Sequence, residues 1–412
     1  MDSTRTANKR TDPIKVAFFL NTPVRAGVEN HVLSILHRLD RERFRLFLIA
    51  PPKLCELYGR ELPADVEVFP LRLMRFSDTR AMRALVSFLR ARRIDILHSH
   101  LFYASFFASP LGRLAGVPVI VETPHVREQW RKGWIKGRFF IDRWVERCVD
   151  HFIAVSEANA RYLQEVKGLS PRKIVVIHNG RNLERFCPAA DGGRSDSRRG
   201  ESTSSSRGPV ICVLARLEPQ KGHGVLLDAL PPLVKDFPGL KVCFVGDGAL
   251  RRSLEQRVQQ EGLHDTVEFV GYQEDVLPWI SKSDLMVLPS FYEGLPLVAI
   301  EALAMEKPVV ATAVDGTPEV VLEGKTGLTV PPGDPAALGK AIGRLLADSA
   351  LRRSFGKAGR RYVLDNFTEE RQVTRTEEFY LQIFRRRRHK AGEVVEAVAD
   401  SQNEAPVVGR SV

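Results

Sequence analysis

The chain has 412 residues, of which 44% are hydrophobic and 27% charged, and a net charge of +11. That composition describes a globular protein large enough for two domains, and it excludes a fibrous or disordered class. No apolar run approaches the roughly 20 residues that span a bilayer, and the run at 16–20 is too short for a signal-peptide core. The expected location is therefore the cytoplasm.

In chain order, residues 1–14 read as a polar, disordered start. Residues 15–188 read as a first domain. Its strands are expected at 15–20, 44–50, 66–70, 94–98, 119–122, 152–155 and 174–177, with helices at 28–39 and 80–92. The segment 191–208 holds six Ser, four Gly and four Arg and no large apolar residue. Residues 189–208 are accordingly a linker or surface insertion.

The alternation restarts in a second domain, 209–366. Strands are expected at 210–215, 240–245, 267–270, 285–288 and 308–312. Helices are expected at 224–235, 250–261, after 295, 335–346 and 351–366. A last helix, 367–384, ends at Arg385-Arg386-Arg387-Arg388-His389-Lys390, and 385–412 is a basic and then disordered tail. Short apolar runs separated by helices predict parallel sheets covered on both faces. The fold class is α/β: two doubly wound Rossmann-like domains facing across a cleft. Ligands in such sheets bind beyond the carboxyl ends of the strands.

The loops after strands therefore hold the chemistry. Phe291-Tyr292-Glu293-Gly294-Leu295-Pro296-Leu297-Val298-Ala299-Ile300-Glu301 follows a strand and enters a helix. Gly294 permits close backbone approach, Pro296 suits a first turn, and free N–H groups at such an entrance seat phosphate. Glu293 and Glu301 have seven residues between them. In a continuous helix their Cα atoms would be about 12 Å apart along the axis. Glycosidase carboxyl pairs stand roughly 5–9.5 Å apart, so this spacing favours two carboxylates gripping separate hydroxyl-bearing ends of a ligand.

Other loops add cations and turns. Arg216 directly follows the strand that ends at 215 and Lys221 precedes a glycine and a helix, where they either pair with a diphosphate or form a solvated loop. Gly27 precedes the first helix, Gly246 lies in Val245-Gly246-Asp247-Gly248, and the backbone at Val270 could meet a base edge. His125 follows a strand and is either a contact to the transferred group or a structural histidine. His98 and His100 end the preceding strand. No third ligand stands at metal spacing, so no metal is expected there. Ser156 reads as a helix N-cap. The five cysteines are scattered without a C-x-x-C pair and are expected to be buried thiols.

The positive charge is compatible with nucleic acid, an anionic membrane or an anionic substrate. No recognition motif for nucleic acid appears, so no such partner is expected. The stretch 127–147 is basic and carries three of the four tryptophans. It could lie on the inner face of an anionic membrane, or pack as an ordinary helix.

Together these residues resemble the family-4 glycosyltransferases, retaining enzymes of the GT-B fold. The likeness runs from about 15 to 384 and is strongest over 209–332. It rests on the order Ala-Arg-Leu…Lys-Gly, Val-Gly-Asp-Gly, Phe-Val-Gly-Tyr, Pro-Ser…Glu-Gly-Leu-Pro…Glu-Ala and Pro-Val-Val-Ala-Thr. The resemblance implies a nucleotide diphosphate sugar as co-substrate, a glycan or lipid-linked acceptor, and no cofactor or metal. It implies that Arg216 and Lys221 bind the donor diphosphate and that Glu293 contacts the donor sugar. Gly294, Leu295, Pro296, Leu297 and Val298 would line sugar and phosphates, and Glu301 the ribose. Gly27 would line phosphate from the first domain, with His125 beside the reacting sugar. The chain departs from the family pattern at Ala26, where a second glycine is common, at Asn182, where Asp is usual, and in the Ser/Gly-rich 191–208. A sugar-nucleotide epimerase or hydrolase on the same fold, and a basic nucleic-acid-binding protein, are the other readings. Turnover without an acceptor would mark the first, and salt-dependent oligonucleotide retention the second.

Overall fold

A computed structural model describes residues 12–24, 27–75, 77–125, 139–188 and 208–403. The amino-terminal domain runs β1 Ile14–Phe19, α1 Gly27–Arg38, β2 Phe44–Ala50, α2 Pro52–Tyr58, β3 Glu67–Pro70, α3 Thr79–Arg92 and β4 Ile96–His100. It continues through α4 Phe102–Ala115, β5 Val119–Thr123, α5 Phe139–Glu146, β6 His151–Ala154, α6 Glu157–Arg161 and β7 Ile174–Val176. The carboxy-terminal domain opens with β8 Val210–Leu214, α7 His223–Asp236, β9 Lys241–Val245, α8 Arg251–Gln260, β10 Val267–Gly271 and α9 Leu277–Lys282. There follow β11 Leu285–Leu288, α10 Leu297–Ala304, β12 Val309–Thr312, α11 Thr317–Val320, β13 Gly327–Val330, α12 Pro335–Ala347, α13 Ser349–Asn366 and α14 Glu369–Asn403.

The strands form a seven-stranded sheet, β3-β2-β1-β4-β5-β6-β7, and a six-stranded sheet, β10-β9-β8-β11-β12-β13. Their pairings are parallel, as the near-continuous apolar strands predict. Helices bury both faces of each sheet, giving two clusters per domain. Strand order reverses between β1 and β4 and between β8 and β11. Those switch points open a crevice at the carboxyl ends of the strands, and the loops expected to carry chemistry leave from them.

Two elements depart from expectation. The arginine block does not stop the last helix: α14 runs on to Asn403. Arginine and lysine are good helix formers, and no proline or helix-ending glycine stands at 385 to stop the ladder. Of the five cysteines only Cys212 and Cys243 are buried, while Cys187 is exposed. Most of the basic tryptophan-bearing stretch and the 191–207 part of the insertion lie outside the described residues.

The amino-terminal domain is fastened to α14. Tyr380, fully buried, meets His98 Nδ1 at 2.6 Å, and His98 Nε2 meets Thr123 Oγ1 at 2.7 Å. Tyr380 and Ile383 share a cluster with Val16, Phe18 and Val121, so the end of the chain completes the first core.

Candidate active site

The loop after β8 carries Arg216, then a single 3-10 turn, Pro219–Lys221, and then Gly222 in the left-handed region at φ 65°. The loop after β11 carries Ser290 and Glu293 and leads into α10. The two loops are laced together. Gln220 Nε2 donates to Tyr292 O at 2.8 Å, and Phe291 N donates to Gln220 O at 2.8 Å. This lacing sets Lys221 Nζ 2.6 Å from Glu293 Oε1, which also accepts from Ser290 Oγ at 2.7 Å. The Glu293 amide donates to Asp315 Oδ2 at 2.9 Å. Both charged side chains are largely buried, at 19% and 10% exposed, so the pair has cohesion that a surface pair lacks.

Pro296 caps α10, whose first bonds run from Ala299 N and Ile300 N back to Pro296 O. The amides of Leu297 and Val298 lie ahead of that ladder, at the positive end of the helix. A cavity of about 310 Å³ opens in front of them. Lys221, Glu293 and Leu295 to Val298 line it from one domain, and Gly27 lines it from the other. The expected donor-binding residues Gly27, Lys221, Glu293, Leu295, Pro296, Leu297 and Val298 are thus brought to one wall-and-floor arrangement.

Other expected residues stand apart from this cavity. Arg216 is exposed and does not line it. Glu301 is 5% exposed, inside α10, and pairs with Arg181 at 2.6 Å. Burial raises its pKa, with Arg181 and then Arg185 opposing. Glu293 and Glu301 therefore answer to different cations and do not flank one bond. Gly246 N donates to Gly271 O at 2.9 Å, tying the end of β9 to the end of β10. Val270 is the extra residue of a register shift between Phe269 and Gly271, a bulge that re-aims the strand end. Gly294 O accepts from Gly316 N at 3.2 Å and from Ser156 Oγ, of the opposite domain, at 3.4 Å. Ser156 also caps α6 by accepting from Asn159 N, as its position predicts.

On the amino-terminal side His125 is 5% exposed, and its Nε2 lies 3.1 Å from His100 Nδ1. His31, on α1, packs edge-on to His125 with ring centroids 4.9 Å apart. Burial, with His31 and His98 adding, holds His125 well below the ordinary histidine range, so its ring is neutral at pH 7. The sequence offered no third ligand beside these histidines, yet the fold supplies one. Ring nitrogens of His31, His100 and His125 lie within 4.8 Å of one another. A four-coordinate zinc would hold them about 3.4 Å apart on bonds of roughly 2.0–2.1 Å, and His100 Nδ1 and His125 Nε2 stand 3.1 Å apart, sharing a hydrogen bond. His100 Nε2 is buried without a hydrogen-bond partner among the described residues. His31 and Arg181 are among the residues around the site that the sequence did not single out. Each meets its partners only through the tertiary fold.

Two facing α/β domains with this cleft match solved glycosyltransferases of the GT-B fold. The Anabaena protein HepE in complex with UDP aligns with a TM-score of 0.75 at 20% identity, over 90% of this chain and 100% of that one. Sucrose-phosphate synthase from Thermosynechococcus elongatus aligns with a TM-score of 0.71 at 24% identity, over 90% and 99%. Residues 25–185 match the family model Glycosyltransferase Family 4, and residues 195–362 match Glycosyl transferases group 1. Glycogen synthase of Mycobacterium tuberculosis is 30% identical over 71% of this chain and 70% of its own length. An Escherichia coli enzyme, UDP-Gal:alpha-D-GlcNAc-diphosphoundecaprenol alpha-1,3-galactosyltransferase, is 26% identical over 89% and 97%. The chain belongs to this glycosyltransferase family, and it is an enzyme of the sugar-transferring class.

Proposed function

We propose that the enzyme transfers a hexosyl group from a nucleoside diphosphate sugar to an acceptor hydroxyl, with retention of anomeric configuration. The observation that carries this reading is the Lys221–Glu293 pair beneath the start of α10, with Gly27 across the cavity. Glu293 would take a hydroxyl of the donor sugar. Lys221, released in part from Glu293, and the amides of Leu297 and Val298 would meet the diphosphate. Charge grows on the departing diphosphate, and the helix amides, already aimed there, stabilise it without reorganising. Arg216, exposed on the loop that carries Lys221, would add a cation, and no metal is needed in this scheme. His125, neutral and buried, would present a ring nitrogen to the reacting sugar. Glu301 would hold the ribose.

The acceptor would be a growing glycan or a lipid-linked sugar in a cell-envelope polysaccharide, lipopolysaccharide or glycolipid. The complex of HepE with UDP supports the donor class, and the undecaprenol-linked substrate named for the E. coli relative supports the acceptor class. Trp144 on α5, 50% exposed at the edge of the basic stretch, supports peripheral contact with an anionic membrane. Among the described residues no helix is long and apolar enough to cross one.

The test is a panel of nucleotide sugars, each with and without candidate acceptors. Nucleoside diphosphate release should depend on the acceptor, and the product should keep the donor's anomeric configuration by NMR. Lys221→Ala should lower kcat by about 10²–10³-fold, the typical loss of one such donor. Equal turnover without acceptor would replace this reading with a hydrolase or epimerase.

A further inference from the structure

Glu301 is the one charged residue in an otherwise apolar helix, LVAIEALA, and it is buried. Its partner comes from a different part of the chain. Arg181 Nε lies 2.6 Å from Glu301 Oε1, with its N–H off the line of the contact. The guanidinium also rests 5.8 Å from the centre of the Phe186 ring. One oxygen of the carboxylate is thus approached by charge, without a fork that would occupy both.

The Arg181 backbone is held as firmly as its side chain. Arg181 bridges Thr368 in a parallel pair. Arg181 N donates to Phe367 O at 2.9 Å, and Glu369 N donates to Arg181 O at 3.2 Å. A methyl on Gly180 would stand 2.2 Å from Thr368 O, so the backbones touch here. Gly180 N donates to Gln372 Oε1 at 2.5 Å. Residues 180–183 leave the first sheet and residues 366–369 return to it. Arg181 therefore reaches α10 from the place where the two interdomain crossings are pinned together.

We propose that Arg181 is a positioning residue for donor binding, holding the Glu301 carboxylate aimed at the vicinal diol of the donor's ribose. The proposal rests on the ribose reading of Glu301 given above. An ionised carboxylate accepts from both hydroxyls of a diol, whereas a protonated one spends an oxygen on its own proton. Burial alone drives Glu301 toward the protonated form, and Arg181 and Arg185 are the charged groups opposing it. Arg185 is itself paired with Asp275 at 2.7 Å and is 56% exposed, which leaves Arg181 as the main counter-charge.

The experiment compares ribose with deoxyribose. Calorimetry with UDP, GDP, ADP and CDP finds the diphosphate that the wild type binds. Its affinity is then set against the 2′,3′-dideoxy counterpart at about pH 6, 7.5 and 9, for wild type, Glu301→Gln, Arg181→Met and Arg181→Lys. The wild type should prefer the ribose form by about tenfold or more, the scale of one charge-assisted hydrogen bond. Glu301→Gln should lose that preference. Arg181→Met should bind the dideoxy form like wild type, show a smaller preference, and recover it only at a higher pH than wild type needs, as Glu301 ionises. Arg181→Lys should keep it. If wild type and Glu301→Gln show the same preference, or no diphosphate binds, the ribose reading fails and the proposal falls with it. If Glu301→Gln loses the preference while Arg181→Met keeps it at every pH, the ribose reading stands and the Arg181 role is overturned. An equal loss for ribose and dideoxy forms marks a merely structural arginine and also overturns it. Should Arg181→Met fold poorly, Arg181→Gln takes its place.

Discussion

His98, His100 and His125 are 1%, 0% and 5% exposed, and the folded protein carries none of them charged at neutral pH. Burial is the main cause for each. It lowers His98 to about 3, and His100 and His125 well below the usual range, with neighbouring histidines adding repulsion. The consequence for stability has a definite sign. Each folded-state pKa is depressed, so below about 6.5 the unfolded chain takes up protons that the folded chain refuses. Stability is full above that pH and falls as the solution is acidified toward the folded values. Each histidine costs about 1.4 kcal/mol per pH unit in that window. Urea midpoints measured between pH 7.5 and 5 should drop steeply. His100→Asn should flatten the slope by about one proton's worth. A slope that His100→Asn leaves unchanged would mean the ring is already charged or exposed.

At the scale of elements, the donor wall depends on two loops held at backbone contact. Gly222 has φ 65°, and a methyl built on it would stand 2.0 Å from Pro289 O. Gly222→Ala would strain its own backbone and push apart the loops that carry Lys221 and Glu293. A loss of about 1–3 kcal/mol in stability is expected, together with weaker nucleotide binding by thermal shift. At Gly27, on the other wall, an added methyl meets nothing within 4 Å. Gly27→Ala should therefore melt like wild type, and equal melting of both variants would count against the argument. The strands of these sheets were legible in the sequence because buried parallel strands are short apolar runs. The strand expected at 285–288 has those ends, whereas that at 94–98 begins two residues early. Helix α4 was not: FYASFFASPLGRLA packs small and aromatic residues without a polar stripe, so no 3.6-residue period announces it. β13, GLTV, has its apolar run broken by a glycine and a threonine, and α11, TPEV, is a single turn. The site was half legible. Lys221, Glu293 and the start of α10 sit at strand ends, where the fold rule directs attention. His31 lies inside a helix, and Arg181 lies 120 positions from the glutamate it serves, so neither had a local signal.

At the scale of the whole molecule, one carboxylate clasps the two domains across the cleft. Glu319, on α11 of the carboxy-terminal domain, accepts from Glu157 N and Ala158 N, both at 2.9 Å, at the start of α6 of the other domain. His178 Nε2 stands 2.8 Å from the same carboxylate. An anion at a helix start gains from the helix dipole as well as from the two amides. Burial pushes Glu319 upward, but the bonds from His178, Ala158 and Glu157 outweigh it and hold the carboxyl below its ordinary value. The depressed pKa means that the clasp is intact above about pH 4.5 and is lost as pH falls through the lower, folded value. Because Gly294 O and Ser156 Oγ meet beside this clasp, its release would also loosen the donor loop. Glu319→Gln removes the charge while keeping the shape, and hydrogen bonds to charged groups are worth roughly 1.5–3 kcal/mol each. The variant should scatter X-rays with a larger radius of gyration than wild type at neutral pH. It should raise KM more than it lowers kcat, because the chemistry-bearing side chains remain and only the population of closed molecules falls. Wild type should keep one radius from pH 8 to 5. If Glu319→Gln matches wild type in both radius and KM, the domains are held together elsewhere.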